Sequence, residues 1–273
     1  MIPLTTIIAC VVTLIISLVL PIAILLVFAL KNKKQGIISA WLLGACGFVI
    51  PQLLIRLPLL TLLQGQSWFT AFAQNKVFLY VLSLAFTAGL FELAGRYAVA
   101  GIMAKKLTWK RALAAGLGHG GIEAMLLVGM TYINNLIYIV MINSGSFDAL
   151  IAQTATLGVD ASQLELIRTQ LIDAAPGLFL LAGLERLLTM IGHLAMSVLV
   201  CYGVAHKKTG ICLLLCLIFH TLLDLSAGLT MVLPQSIAYP VIYAFLAAMA
   251  ALSVLILIKL RRLWQAAPSP SET

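Results

Sequence analysis

Nine ionisable side chains interrupt stretches of this sequence that are otherwise apolar enough to cross a bilayer: Glu92, Arg96, His119, Glu123, Glu185, Arg186, His193, His220 and Asp224. An ionisable group in hydrocarbon costs several kcal/mol, roughly 2.5–3.5 for Asp, Lys or Arg at a helix centre even on lenient insertion scales. Each one therefore needs a partner. The partner is either another helix, in a purely structural polar clasp, or a site that handles protons, metal, ions or water inside the membrane.

The surrounding sequence is 62% hydrophobic and only 10% charged, against about 25% charged in a soluble domain. There is too little polar surface for a water-soluble fold. Segments 4–30, 37–63, 77–104, 112–142, 177–205, 211–231 and 236–258 are each long enough to span, since roughly 20 apolar residues at 1.5 Å per residue cross a ~30 Å core. The expected fold class is all-α, a polytopic transmembrane helical bundle of seven spans. It forms a single transmembrane domain over 1–263, followed by a polar tail, 264–273, expected to be disordered.

The net charge of +8 does not indicate nucleic acid, because 12 of the 17 Lys and Arg sit in four short connections: KNKK at 31–34, KKLTWKR at 105–111, HKK at 206–208 and KLRR at 259–262. These alternate along the chain with connections that are neutral, acidic or carry Lys76 alone. The positive-inside rule then places the N-terminus outside and the C-terminus in the cytoplasm. The first segment starts MIPLTTII without a basic n-region and reads as a retained helix. Cys10, Cys46, Cys201, Cys212 and Cys216 all fall inside spans and show neither a disulfide framework nor paired-thiol metal spacing; they read as small buried hydrophobes.

The one long connection, 143–176, carries Leu164, Ile167 and Leu171 at helical spacing among acidic residues, with Asp160 and Gln163 placed to cap a helix. It is expected to form a short amphipathic helix on the outer interface. Arg56, between Pro51 and Pro58, is expected to snorkel towards headgroups. Glu185 and Arg186 read as part of an outer ion-paired cluster.

Depth singles out the remaining polar residues. Counted from the cytoplasmic helix ends, Glu92, Glu123, His193, His220 and Asp224 lie about 13–20 Å deep, and His119 about 10 Å, at the helical rise. Four helices thus bring polar groups to nearly one layer. Glu92 and Arg96, His119 and Glu123, and His220 and Asp224 are each four residues apart, so both members of each pair share a helix face. A histidine beside a carboxylate suits metal ligation or activation of water by a general base. Gly116, Gly118, Gly120 and Gly121 around His119 allow a neighbouring backbone or a substrate to approach closely.

FELAGR at 91–96, GLGHGGIEA at 116–124, LERLLTMIGHLAMSVLV at 184–200 and FHTLLD at 219–224 resemble the YhfC family of bacterial membrane proteins. These are described as intramembrane metalloproteases distantly similar to the CAAX prenyl protease and bacteriocin-processing superfamily. In that superfamily a Glu-Glu-x-x-x-Arg motif, a Phe-x-x-x-His motif and a His-x-x-x-Asn/Asp motif build the catalytic centre. The resemblance implies corresponding roles for Glu92 with Arg96, for His119, and for His220 with Asp224. Phe91 stands where the first Glu of the double-Glu motif would be, and Ala115 replaces the motif Phe. Two carboxylates, Glu92 and Glu123, are left as the base.

The functional expectation is peptide-bond hydrolysis at or within the membrane by a His/carboxylate site reached from the cytoplasmic side of a bacterial cytoplasmic membrane. Glu123, Glu92, Arg96 and His119 are the expected catalytic residues. His119, His193, His220 and Asp224 are the expected ligands of a divalent metal such as zinc. The partners are the lipid bilayer and a membrane-associated peptide or protein substrate. The alternative is a binding, scaffold or small-solute transport protein using the same polar site.

Overall fold

Inside hydrocarbon, backbone amides and carbonyls must be satisfied within the segment, so long apolar runs become helices. The computed structural model describes residues 1–158 and 160–266. It contains seven helices long and apolar enough to span: Leu4–Lys31, Ile37–Gln64, Val77–Lys106, Trp109–Ser144, Pro176–Ala205, Thr209–Met231 and Gln235–Ala266. Among the described residues there is no strand. The all-α, seven-span architecture therefore stands, with boundaries shifted by a few residues. From residue 267 the polar tail lies outside the described residues.

Several spans are not uniform α-helix. π-helical turns occupy Ile15–Val19, Val49–Arg56 and Ala124–Gly129. The second contains Pro51, which has no N–H to donate to the helical ladder, and the helix resumes at Leu57–Gln64 with Pro58 in its first turn. The third begins immediately after Glu123.

By internal packing the chain divides into two compact units. The smaller comprises Met1–Ala23 and Ala124–Leu187. Its core joins Cys10, Tyr132, Ile139, Leu171 and Phe179, tied by hydrogen bonds from Thr13 Oγ1 and Tyr132 Oη to the Phe179 carbonyl at 2.7 and 3.0 Å. The connection 143–176 belongs here and forms two helices, Phe147–Thr156 and Ser162–Asp173. Arg168 joins them through Asp148 at 2.6 Å. Leu171 is buried in the core, so this segment is docked on protein by its apolar stripe. Asp160 holds the helix start through Ser162, at 2.9 Å to its N–H and 2.8 Å to its hydroxyl, rather than through Gln163. Glu185 and Arg186 form an ion pair with each other.

The larger unit comprises Ile24–Glu123 and the chain from Leu188 onward. Its core runs through Ile37, Ala40, Leu93, Met103, Ala115, Met196, Val198 and Cys216. Glycine allows the helices to meet backbone to backbone. A Cβ on Gly118 would lie 2.0 Å from the Trp41 carbonyl oxygen, and one on Gly95 would lie 1.9 Å from that of Gly47. The second span is thereby pressed against both the third and the fourth. Rings from two basic connections and from the end of the seventh span also meet in this unit: Trp264 lies 6.0 Å from Trp109 and 5.5 Å from His206. The ends of the third, fifth and seventh spans therefore share one face, as alternating topology requires.

Candidate functional site

Glu92 and Arg96 come from the third span, His119 and Glu123 from the fourth, His193 from the fifth, and His220 and Asp224 from the sixth. All seven lie within the larger unit. The four-residue spacing projects both members of each pair to one side, and the glycine contacts bring those sides together. Glu92, Arg96, His119, Glu123, His193 and His220 are all buried. The Asp224 side chain keeps 30% of its exposure.

Glu92 Oε2 is the hub. It accepts from His119 Nε2 at 2.9 Å and from an Arg96 terminal nitrogen at 3.3 Å. His220 Nε2 at 3.6 Å and His193 Nδ1 at 3.7 Å complete its surroundings. The rings also pack on one another: His119 stacks on His193 at 5.6 Å between centroids, and His193 meets His220 edge-on at 5.3 Å. Phe48 closes the far edge of His119. The second Glu123 oxygen, Oε2, meets His193 Nε2 at 3.0 Å, and His220 Nε2 meets Asp224 Oδ2 at 3.2 Å.

Arg96 decides how these rings are oriented chemically. Its guanidinium contacts Nδ1 of His193 at 2.6 Å and Nδ1 of His220 at 3.2 Å. A guanidinium has donors only, so both Nδ1 atoms present lone pairs to it. In the neutral rings the proton is then on Nε2. His193 donates it towards Glu123, and His220 donates it towards Asp224.

A metal was expected from sequence, and the donor chemistry fits one. Glu92, His119, Glu123 and His193 each offer one ligand atom, and the four atoms lie within 4.8 Å of one another. Small rotamer adjustments match that spread to bonds of ~2.0–2.2 Å, and three such ligands with an open fourth position are the usual catalytic zinc arrangement. Of the four expected ligands, His119 and His193 belong to this group. His220 and Asp224 fall outside this four-atom group, and the Asp224 side chain, with 30% of its exposure, lies at the edge. Glu92 and Glu123, expected as bases, are the carboxylates inside the group.

The sequence reading misplaced one polar residue and missed another. Arg56 does not snorkel. It is 7% exposed and donates to the Leu84 carbonyl at 2.7 Å and to Thr87 Oγ1 at 3.3 Å. Ser197, one turn after His193, is buried at the back of the site. Its i+4 spacing from His193 was a signal available in the sequence.

Seven helices apolar enough to span and a buried histidine–carboxylate centre compatible with metal define a multi-pass membrane protein with a metal-capable centre. Residues 16–258 match the model of the YhfC intramembrane metalloprotease family, and the chain belongs to that family. It is also similar to the "Uncharacterized membrane protein YhfC" of Bacillus subtilis (strain 168), 30% identical over 254 residues that cover 92% of this chain and 94% of that protein. No solved structure matches.

Proposed function

We propose that this protein hydrolyses a peptide bond at or within the membrane, from the cytoplasmic side, with Glu123 as the general base. The difference between its two central carboxylates carries this reading. Glu92 Oε2 is engaged by Arg96 and His119 and flanked by two further imidazoles. A carboxylate so held is a poor proton acceptor and a good structural anchor. Glu123 is held in orientation by His193 and retains 11% of its side-chain exposure, against 4% for Glu92. A base must reach the water that attacks the substrate.

In the proposed reaction Glu123 takes a proton from that water as its oxygen bonds to the scissile carbonyl carbon. The carbonyl oxygen gains negative charge, which the nearby Arg96 cation would offset. The C–N bond then breaks and Glu123 returns the proton to the leaving amine. Asp224 keeps His220 in the tautomer that Arg96 requires. Glu92, His119 and His193 would hold a divalent metal such as zinc, which when bound polarises the carbonyl and acidifies water.

The test is cleavage of membrane-spanning and membrane-proximal peptides by purified Glu123→Gln and Glu92→Gln variants, with and without a chelator, alongside thermal unfolding in detergent. Glu123→Gln is expected to abolish cleavage and leave the unfolding temperature near that of the parent. Glu92→Gln is expected to lower that temperature. Full activity in Glu123→Gln would overturn the assignment. An inactive parent across a broad peptide panel would favour the binding or transport reading of the same polar cluster.

A further inference from the structure

The Arg96 donor set is incomplete. Its terminal nitrogens serve Glu92, His193 and His220, but Nε, which carries the fifth N–H, is buried and meets no protein acceptor. Ser197 Oγ, in the fifth span, is likewise buried without a protein partner, and the residue is only 4% exposed. This is unusual within the chain. The other buried serines among the described residues, Ser17, Ser226 and Ser253, each donate to a carbonyl of their own helix at 2.6–2.7 Å. Ser197 does not, although the same option is open to a helical serine.

Both side chains line one small cavity of about 10 Å³, shared with His119, Gly44, Ala115 and Cys201. A cavity of roughly 10–15 Å³ by this measure accommodates one water, provided that polar groups face it. The size excludes any ligand of more than one heavy atom, and the adjoining guanidinium excludes a cation. Leaving a buried donor unmade costs about 1–3 kcal/mol, more for a charged group, so the two orphaned atoms favour an occupant that can accept from one and bond to the other.

We propose that this cavity is a binding site for a single water molecule, held between Arg96 Nε–H and Ser197 Oγ, and that Ser197 is thereby a positioning residue for Arg96. The water oxygen accepts from Nε–H and one water hydrogen is donated to Ser197 Oγ. With Nε anchored, the guanidinium plane is fixed and its two terminal nitrogens stay on His193 and His220. Such a water belongs to the resting protein and does not depend on what reaction the site performs.

An experimental structure that resolves ordered water tests the site directly. Density is expected within hydrogen-bonding distance of both atoms; a dry cavity, or a direct protein contact to Arg96 Nε, would overturn the proposal. Ser197→Ala and Ser197→Val separate polarity from volume. Ser197→Ala is expected to leave the water held by Arg96 alone and to shift the imidazole ¹⁵N resonances of His193 and His220 part of the way that Ser197→Val shifts them, because the oxygen that fixed the water is gone. Ser197→Val is expected to expel the water and shift both Nδ1 resonances further than Ser197→Ala does. Unchanged Nδ1 resonances in a folded Ser197→Val protein would refute the positioning role, and the parent structure decides the matter if that variant fails to fold.

Discussion

At the scale of single residues, one guanidinium organises chemistry that four-residue spacing could only suggest. Because Arg96 donates to both Nδ1 atoms, ¹⁵N spectra of chelator-treated protein should show the Nδ1 of His193 and His220 as non-protonated and their Nε2 as protonated. The opposite pattern would mean that Arg96 does not contact the rings in this way. Arg96→Gln removes the cation beside a buried carboxylate, and breaking a buried pair by deleting one partner costs about 3–5 kcal/mol. The expected outcome is a clear fall in unfolding temperature, larger than for Arg168→Ala. Arg168 forms its pair with Asp148, whose side chain keeps 71% of its exposure, and exposed pairs are worth about 0–1 kcal/mol. The importance of Glu92, Arg96, His119, Glu123, His193 and His220 was legible because charge in hydrocarbon needs a partner. Which nitrogen faces which oxygen was not, since spacing along one helix says nothing of rotation about another. Arg56 shows the same limit: its position near a helix end allowed snorkelling, and only the neighbouring span supplied the Leu84 carbonyl that holds it inside.

At the scale of elements, glycine sets how closely the helices that carry the site approach one another. Gly118→Ala places a methyl group against the Trp41 carbonyl, and Gly95→Ala places one against that of Gly47. Backbone on both sides cannot yield as a flexible side chain would, so the helices must separate. Overpacking of this kind typically costs about 1–3 kcal/mol. Both variants should express poorly or melt early, whereas Gly101→Ala, with nothing within 4 Å of the new Cβ, should behave like the parent in the same melting assay. The glycine run around His119 was visible in the sequence, but it left open whether a substrate or a backbone fills the space; the second and fifth spans fill it. In the connection 143–176, two hydrogen bonds from Ser162 hold the Asp160 carboxyl below its usual range. A depressed carboxyl contributes stability above its unfolded value and loses it as pH falls through the folded one. Amide exchange at the start of Ser162–Asp173 should therefore accelerate relative to the rest of the helix in acid, after correction for intrinsic exchange, and Asp160→Asn should remove that pH dependence.

At the scale of the whole molecule, topology is the property that sequence addresses most directly. Reporter fusions at residues 107, 207 and 265 are expected to report the cytoplasm and a fusion at 155 the opposite side; a cytoplasmic 155 would be incompatible with seven spans in the proposed orientation. Span number, helix class and membrane residence were all determined by local properties of the chain, because hydrocarbon thickness fixes helix length and leaves the backbone few alternatives. Family membership was likewise carried by short motifs that any one segment displays. The site needed more. The sequence left Glu92 and Glu123 as alternative bases, with Glu92 placed to pair with Arg96; the network that Glu92 Oε2 anchors and the marginal position of Asp224 depend on how far four helices are rotated and how closely glycine lets them approach. Those quantities arise from contacts between residues distant in sequence, such as Gly118 with Trp41 and Arg96 with His220. The sequence by itself therefore determined which residues had to find partners, and the tertiary structure alone decided which partners they found.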